Sequence, residues 1–546
     1  MQTISGGTAL VKMLRRHGIH TMFGLPGYQS DHLFNALYDA QGTPDAIRVI
    51  NTRHEQGAAY MAYGFARATG GVGVCSVVPG PGMLNATAAL STAYATNARV
   101  LCLAGQNTVA GIGRGMGMLH EIPDSLGILR GLTKWVMRAE HPSQIPELVN
   151  EAFKQMNSGR PRPVALEMPM DVLAMKAPVQ LLDAPSSYAR PKPDDQQIAE
   201  AAALLGKAQH PLILIGGGAE HASAELLAVA EMLQAPVVAN SSGKGTLSEK
   251  HHLSFSGPGG HKLWAQADVV LALGTRMVQP GVGWGTDENL KIIRVDLDPV
   301  ELRRVINPTV GIVADVRETL SALITALPAQ NTPRPSRLAE LIALKEELDE
   351  EFSRVQPQHE FNAALRSALP DDGIFIEELT QVGYAARYML PIYQPRGFIH
   401  SGYQGTLGYG FATSLGVKVA FPDKAVLSIS GDGGFMYNVQ ELATAVQHNI
   451  ALVSVVFVDG AFGNVKRMQS VDHGGRVIAS ALHNPDFVQL AQAFCARGVR
   501  AHTPAEMASA IREGFAHAGP TIIEVPVGEM SDPWRHILMP KVRPLA

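Results

Sequence analysis

The chain has 546 residues, 46% of them hydrophobic, and carries 45 basic against 49 acidic side chains, a formal charge of −4. That length exceeds a single hydrophobic core and predicts about three domains of roughly 150–200 residues. The near-neutral charge gives no electrostatic case for nucleic acid or an anionic membrane, and no stretch is long and apolar enough to span a bilayer. Three cysteines, Cys75, Cys102 and Cys495, form neither a CxxC pair nor a disulfide framework, which predicts a reducing compartment and buried structural roles. The N-terminal MQTISGGTALVKMLRRHG reads as a capped amphipathic helix without a signal-peptide core, so a soluble cytoplasmic protein is expected.

From the N-terminus to about residue 175, short apolar strands alternate with helical patterns. Residues 21–24 run into Leu25-Pro26-Gly27, and residues 48–51 lead to Arg53-His54-Glu55 and a small-residue helix over 56–69. Residues 72–78 end at Pro79-Gly80-Pro81-Gly82, and strands at 100–104 and 163–167 follow. Such alternation predicts a parallel sheet with helices on both faces. Residues 176–196, rich in proline and without periodicity, read as a linker. A second unit at about 190–327 holds strands at 211–215, 236–239, 269–273 and 292–296. After a second proline-rich linker at 328–336 and a charged helix over 337–354, a third unit spans about 355–530. The tail, 531–546, could cover a site or be mobile. The first and third units could share a fold, although no sequence identity between them is evident.

The third unit contains the stretch with the clearest chemistry. Residues 425–430 form a buried-strand pattern that stops at Gly431-Asp432-Gly433-Gly434; a helical pattern over 438–448 and a second apolar strand over 450–458 lead to Asp459. If the two strands are parallel neighbours, both acids emerge at the carboxyl edge of the sheet. Two carboxylates there can hold Mg²⁺, which completes its shell with phosphate oxygens and water. The glycines permit close backbone approach, and a helix start beside Gly433 can receive phosphate. Taken alone, Asp432 reads better as a helix cap. Glu55 alone likewise reads as a first-turn glutamate favoured by the helix dipole. His54-Glu55 begins a zinc-protease pattern that fails at Ala58, and Gly216-Gly217-Gly218 begins a dinucleotide pattern that fails at His221.

Two motifs change these readings. Gly431-Asp432-Gly433, a gap of 24 residues and then Val458-Asp459 resembles the GDG…NN signature of thiamine-diphosphate (ThDP) enzymes. The segment from Arg53-His54-Glu55-Gln56-Gly57-Ala58 to Arg67 resembles the pyrimidine-binding segment of acetohydroxyacid synthases. The resemblance continues through Phe23-Gly24-Leu25-Pro26-Gly27, Pro79 to Asn85, Gly405-Thr406-Leu407-Gly408 and Asn438 to Ala445, and covers most of the chain. It implies an α/β protein of three doubly wound parallel-sheet domains: pyrimidine-binding, central and diphosphate-binding. Mg²⁺ would be held by Asp432, Asp459 and the carbonyl of Ala461. Both usual asparagines are replaced, by Val458 and Asp459, and Asp459 still supplies an oxygen. Glu55 would contact N1′ of the aminopyrimidine, a role for which a buried position is expected. Pro26, Gly27, Pro79 and Asn85 would line the cofactor from the first domain. From the third, Thr380, Gln381, Gly405, Gly431, Gly433, Gly434, Phe462 and Gly463 would do so, with Leu407 as the apolar prop that bends it.

The same resemblance leaves the product open. Decarboxylases protonate the enamine left by CO₂ loss, whereas synthases deliver it to a second carbonyl. The synthases' active-site glutamine is replaced here by His120 or Glu121, depending on a one-residue gap, and a histidine there could shuttle protons. Met468 stands where the synthases carry a tryptophan that shapes acceptor choice. Tyr28 and Gln29 replace small residues and would narrow the pocket. Arg276 matches an arginine near substrate and flavin and could pair with a carboxylate. Asp296-Leu297-Asp298-Pro299 leaves FAD open without predicting it. The expected enzyme is a ThDP- and Mg²⁺-dependent carboligase, taking a 2-oxo acid and a carbonyl acceptor. The resemblance further implies a homodimer or homotetramer with sites between subunits. The alternative is a decarboxylase that releases an aldehyde. A nicotinamide-dependent dehydrogenase and a non-catalytic relative are the readings from other classes.

Overall fold

A computed structural model describes residues 1–543. The first unit contains β1 (Gln2–Ser5), β2 (Thr21–Gly24), β3 (Arg48–Asn51), β4 (Gly73–Val77), β5 (Val100–Gln106), β6 (Trp135–Arg138), β7 (Val164–Pro169) and β8 (Lys176–Val179). Six of these form a parallel sheet in the order β3-β2-β4-β5-β7-β6. The central unit holds β9 (Pro211–Ile215), β10 (Val237–Ala239), β11 (Ser254–Phe255), β12 (Val269–Leu273), β13 (Lys291–Asp296) and β14 (Val310–Val313). Their order is β11-β10-β9-β12-β13-β14, again parallel. The third unit holds β15 (Ile374–Ile376), β16 (Phe398–Ile399), β17 (Val426–Gly431), β18 (Val453–Val458), β19 (Arg497–Arg500) and β20 (Thr521–Pro526), in the order β16-β15-β17-β18-β20-β19. Every residue of β5, β9 and β12 is buried, as continuous apolar strands covered on both faces must be.

Counted from the first strand of each sheet, the first and third units share the order 2-1-3-4-6-5, whereas the central unit has 3-2-1-4-5-6. The two like units also share a core. Helix Glu55–Thr69 lies on helix Gly410–Ala420, and Ala58, Ala62, Ala412 and Leu415 belong to one apolar cluster. A Cβ on Gly64 would fall 2.0 Å from the Thr413 carbonyl oxygen, and one on Gly416 would fall 1.9 Å from that of Met61. Small residues are therefore what lets these two backbones approach.

Three local expectations need correction. The stretch read as an unstructured linker begins with β8, which pairs antiparallel with β1 from Gln2↔Val179 to Ser5↔Lys176. The helix expected over 438–448 is shorter, Glu441–Gln447. Asn438 is drawn instead into a buried turn, where its amide donates to the Gly408 carbonyl at 2.5 Å. Cys495 is exposed, while Cys75 and Cys102 are buried register partners of β4 and β5. The tail lies on the central unit: Arg543 donates to the Trp264 carbonyl at 3.0 Å and pairs with Asp287 at 2.9 Å. Residues 544–546 of that tail lie outside the described residues.

Candidate functional site

In the third unit, β17 and β18 are parallel neighbours, so Asp432 and Asp459 leave the same edge of the sheet. Asp432 is 1% exposed. Its Oδ1 accepts the Gly433 N–H, and its Oδ2 accepts the Gly460 N–H at 2.8 Å and the Asn484 side-chain N–H at 2.6 Å. Asp459 is solvent-exposed at its strand end, and its Oδ1 accepts the Ala461 N–H at 3.1 Å. Partial desolvation pushes the Asp459 carboxyl above its ordinary value, and the nearby charge of Asp432 adds to the shift. A helix does begin beside Gly433, but it is only the four-residue turn Asp432–Phe435. A Cβ on Gly433 would sit 2.6 Å from the Phe462 ring, and one on Gly463 would sit 2.3 Å from Asp459 Oδ2, so those glycines are places of close approach.

This acidic edge suits Mg²⁺. Asp432 uses about three of its roughly four lone-pair sites, which leaves one directed outward. The Gly460 and Phe462 carbonyls accept from Leu482 at 2.7 Å and Lys466 at 2.9 Å, and no protein donor among the described residues reaches the Ala461 carbonyl. Two like charges and one free carbonyl fit a cation that takes its remaining ligands from phosphate and water. Among the described residues, no cluster of three or more His, Cys, Asp or Glu forms a closed metal cage.

The remaining wall of this half is the 400s loop. Gly405 has a φ of 56°, and Leu407 beyond it is half-buried. Thr380 is buried and spends its hydroxyl on the Gly383 N–H at 2.8 Å, capping helix Gln381–Met389. Gln381, half-buried, keeps a buried side-chain oxygen without a partner among the described residues.

In the first unit, Glu55 opens helix Glu55–Thr69 and is half-buried, less enclosed than expected. The helix start leaves its side chain beside the Gly82 backbone, where no bulk covers it. Its Oε2 accepts the Asn85 amide at 3.0 Å, and Oε1 lies 3.3 Å from the position of a Cβ on Gly82. The turn before it is fixed from the third unit: the Glu441 carboxylate accepts the Arg53 and His54 N–H groups at 3.0–3.2 Å. The Pro26-Gly27 turn leans on the strand-end segment before Pro79, where a Cβ on Gly27 would meet Val78 at 2.4 Å.

His120 and Glu121 separate clearly. Glu121 staples its own loop, accepting the Gly115 and Met118 N–H groups at 2.9 and 2.8 Å. The Met118 N–H leads in holding its carboxyl below the ordinary range. His120, at a φ of 62°, meets Gln29 through Nδ1 at 3.2 Å, and its carbonyl lies 2.5 Å from where Gly80 would carry a Cβ. The structure therefore sets His120, not Glu121, beside the Pro79-Gly80 turn. Gln29 is 0% exposed and donates to the Leu119 carbonyl at 2.9 Å, so it anchors this loop, whereas Tyr28 is 61% exposed.

Among the described residues, Arg276 and Met468 make no hydrogen bond to these groups. Arg276 is no surface cation: it donates to the Ala95 carbonyl at 2.8 Å, stacks on Tyr403, and lines a cavity of about 590 Å³ with Gly217, Gly218, Trp284 and Asp296. Asp296 there is engaged by Arg160 at 3.4 Å. Met468 is 44% exposed on helix Gly463–Asp472, which has no buried residue. Asn484, Glu441 and Glu378 were not found from the sequence. Glu378 follows β15, a run of three residues too short to flag it. Asn484 and Glu441 carried no signal, because their partners are distant in the chain.

A parallel α/β framework with a carboxylate pair at one strand edge and a helix-start glutamate in a second unit of the same topology is the arrangement expected of a ThDP enzyme. The chain belongs to the thiamine pyrophosphate enzyme family. Residues 4–128 match its N-terminal TPP binding domain, 198–323 its central domain and 380–525 its C-terminal TPP binding domain. It is 34% identical to a probable 2-ketoarginine decarboxylase of Pseudomonas aeruginosa, over 96% of this chain and 94% of that protein. It is 33% identical to a probable acetolactate synthase large subunit of Methanocaldococcus jannaschii, over 96% and 92%. With the acetolactate synthase isozyme 1 large subunit of Escherichia coli it shares 31% identity over 95% and 93%. Among the described residues, no helix is long and apolar enough to cross a membrane.

Proposed function

We propose that this enzyme decarboxylates a 2-oxo acid and joins the remaining fragment to a carbonyl acceptor, as a ThDP-dependent carboligase similar to the acetolactate synthases. The observation that carries the reading is the division of labour between Glu55 in one unit and the Asp432–Asp459 pair in the other. Bound ThDP supplies a nucleophilic carbon and a sink for the electron pair released with CO₂. The chain's own groups do the rest. Asp432, Asp459 and the Ala461 carbonyl hold Mg²⁺, with Gly431, Gly433 and Gly434 giving the diphosphate room. Asn85 donates to Glu55 Oε2, which leaves Oε1 to hold the proton offered to the pyrimidine. A general acid–base group of this kind contributes about 10²–10⁴-fold. Exposed Met468 and Tyr28 flank the acceptor's entry. The active form is a homodimer or homotetramer in the cytoplasm, with a first unit facing a partner's third unit.

A second reading, aldehyde release, is favoured by one observation: His120, the residue beside the Pro79-Gly80 turn, can deliver a proton where a carboligase must withhold one. Likeness to a probable 2-ketoarginine decarboxylase supports the same reading. The test is incubation of the loaded enzyme with a panel of 2-oxo acids, alone and with carbonyl acceptors, followed by product analysis. Coupled hydroxyketone or hydroxyacid products support the carboligase; free aldehyde alone replaces it with the decarboxylase.

A further inference from the structure

Glu378 is a buried acid that the family motifs leave without a role. It follows β15, is 1% exposed, and faces no cation, because its neighbour Glu377 takes Arg387 at 2.9 Å. Its carboxyl gathers neutral donors from separate segments. Oε1 accepts the Gly408 N–H at 2.6 Å; Oε2 accepts the Gly410 N–H at 3.1 Å and the Ser430 O–H at 2.8 Å. Oε1 also occupies the space of a side chain at Gly434, where a Cβ would lie 2.0 Å from it. Gly408 and Gly410 close the loop that carries Leu407, and Ser430 and Gly434 bracket Asp432. Burial pushes this carboxyl up to about 7; the Gly408, Ser430 and Gly410 donors oppose the shift and the Glu377 charge adds to it. An unpaired acid in such a place costs stability. An apolar residue would serve the sheet better, so the contacts themselves call for an explanation.

We propose that Glu378 is a positioning residue that clamps the Leu407 loop to the Gly431–Gly434 turn, so that the apolar prop and the metal-binding acid meet the cofactor as one rigid unit. This rests on the reading of Leu407 and Asp432 as cofactor contacts. No near substitute reproduces the clamp. Glutamine keeps the shape but presents an NH₂ group to one glycine N–H, and aspartate falls one methylene short of the loop.

The test is calorimetric titration of the apo-protein with ThDP at saturating Mg²⁺, with melting of each apo-variant measured alongside. Glu378→Gln is expected to bind ThDP about tenfold more weakly, the loss of one charge-assisted hydrogen bond, with the apo melting temperature little changed. In the Leu407→Ala background the same substitution should add nothing, since the loop no longer presents its prop. Unchanged ThDP affinity in Glu378→Gln, or equal losses in both backgrounds, would overturn the proposal. Should Glu378→Gln fail to fold, Ser430→Ala removes only the hydroxyl contact, and about threefold weaker binding confined to the Leu407 background is expected; equal losses in both backgrounds again overturn it. Asp432→Ala is the control for the site: wild-type affinity in that variant removes the site reading and the clamp together.

Discussion

The first and third units are built on one plan and use it in opposite ways. Both sheets run 2-1-3-4-6-5, and in both the strand ends carry the candidate chemistry. The third unit draws its acids inward. Asp432, Glu377, Glu378 and Glu441 are all buried, and burial raises the carboxyls of Glu377, Glu378 and Glu441. The first unit leaves Glu55 half-buried at a helix start and hangs His120 on a glycine-rich loop with positive φ at Gly113, Gly115 and Gly117. The lesson is physical: one topology, filled by different side chains at different strand ends, encloses its carboxyls to different depths, and the most enclosed ones have their protonation shifted by burial. The central unit, with the order 3-2-1-4-5-6, shares a cavity with the other two units and supplies no candidate for the proton or metal step.

The comparison breaks first at the metal edge. Asp459→Ala is expected to abolish cofactor retention; ThDP and Mg²⁺ content after gel filtration measures it, and unchanged Mg²⁺ dependence rejects the assignment. The opposite unit should behave differently. Glu55→Gln should keep the cofactor and lose about 10²–10⁴-fold in turnover, and full turnover in a ThDP-loaded variant contradicts its role.

A smaller effect tests the shared seam. Gly64→Ala and Gly416→Ala each force a methyl onto a facing carbonyl, and each should destabilise the protein by about 1–3 kcal/mol despite the better helix propensity of alanine. Thermal melting checks whether the two losses match, as equivalent positions require.

The smallest effect is in pH. Glu378 has a folded pKa raised to about 7, so the stability it contributes is present below the ordinary glutamate range and lost as pH rises through about 7. Melting between about pH 5 and 8 should therefore slope downward, less steeply in Glu378→Gln. Glu121 runs the other way. Its lowered carboxyl holds the 115–121 loop above its ordinary range and releases it as the pH falls through the depressed value, which amide exchange of that loop can follow.

Much was legible before any coordinates. Continuous apolar strands such as Pro211–Ile215 and Val269–Leu273 read directly, because a strand covered on both faces has no reason to alternate. The two-residue β16 and the three-residue β15 did not, since so short a run carries little period, although the three-residue β10 did. The place of His120 relative to Glu121 was also hidden. It depends on which side chain its loop consumes internally, and only Gly115, Met118 and Gln29 settle that.

By itself the sequence determined the α/β class, the three units and the family, because these rest on local periodicity and on motifs whose residues are near one another in the chain. Only the tertiary structure decided that Glu441 fixes the turn before Glu55, that Asn484 reaches Asp432, and that Glu378 joins the Leu407 loop to the Asp432 turn. Each of those contacts joins residues from 30 to 387 positions apart. Local pattern carries no information about such pairs; they exist because folded sheets bring their carboxyl edges together.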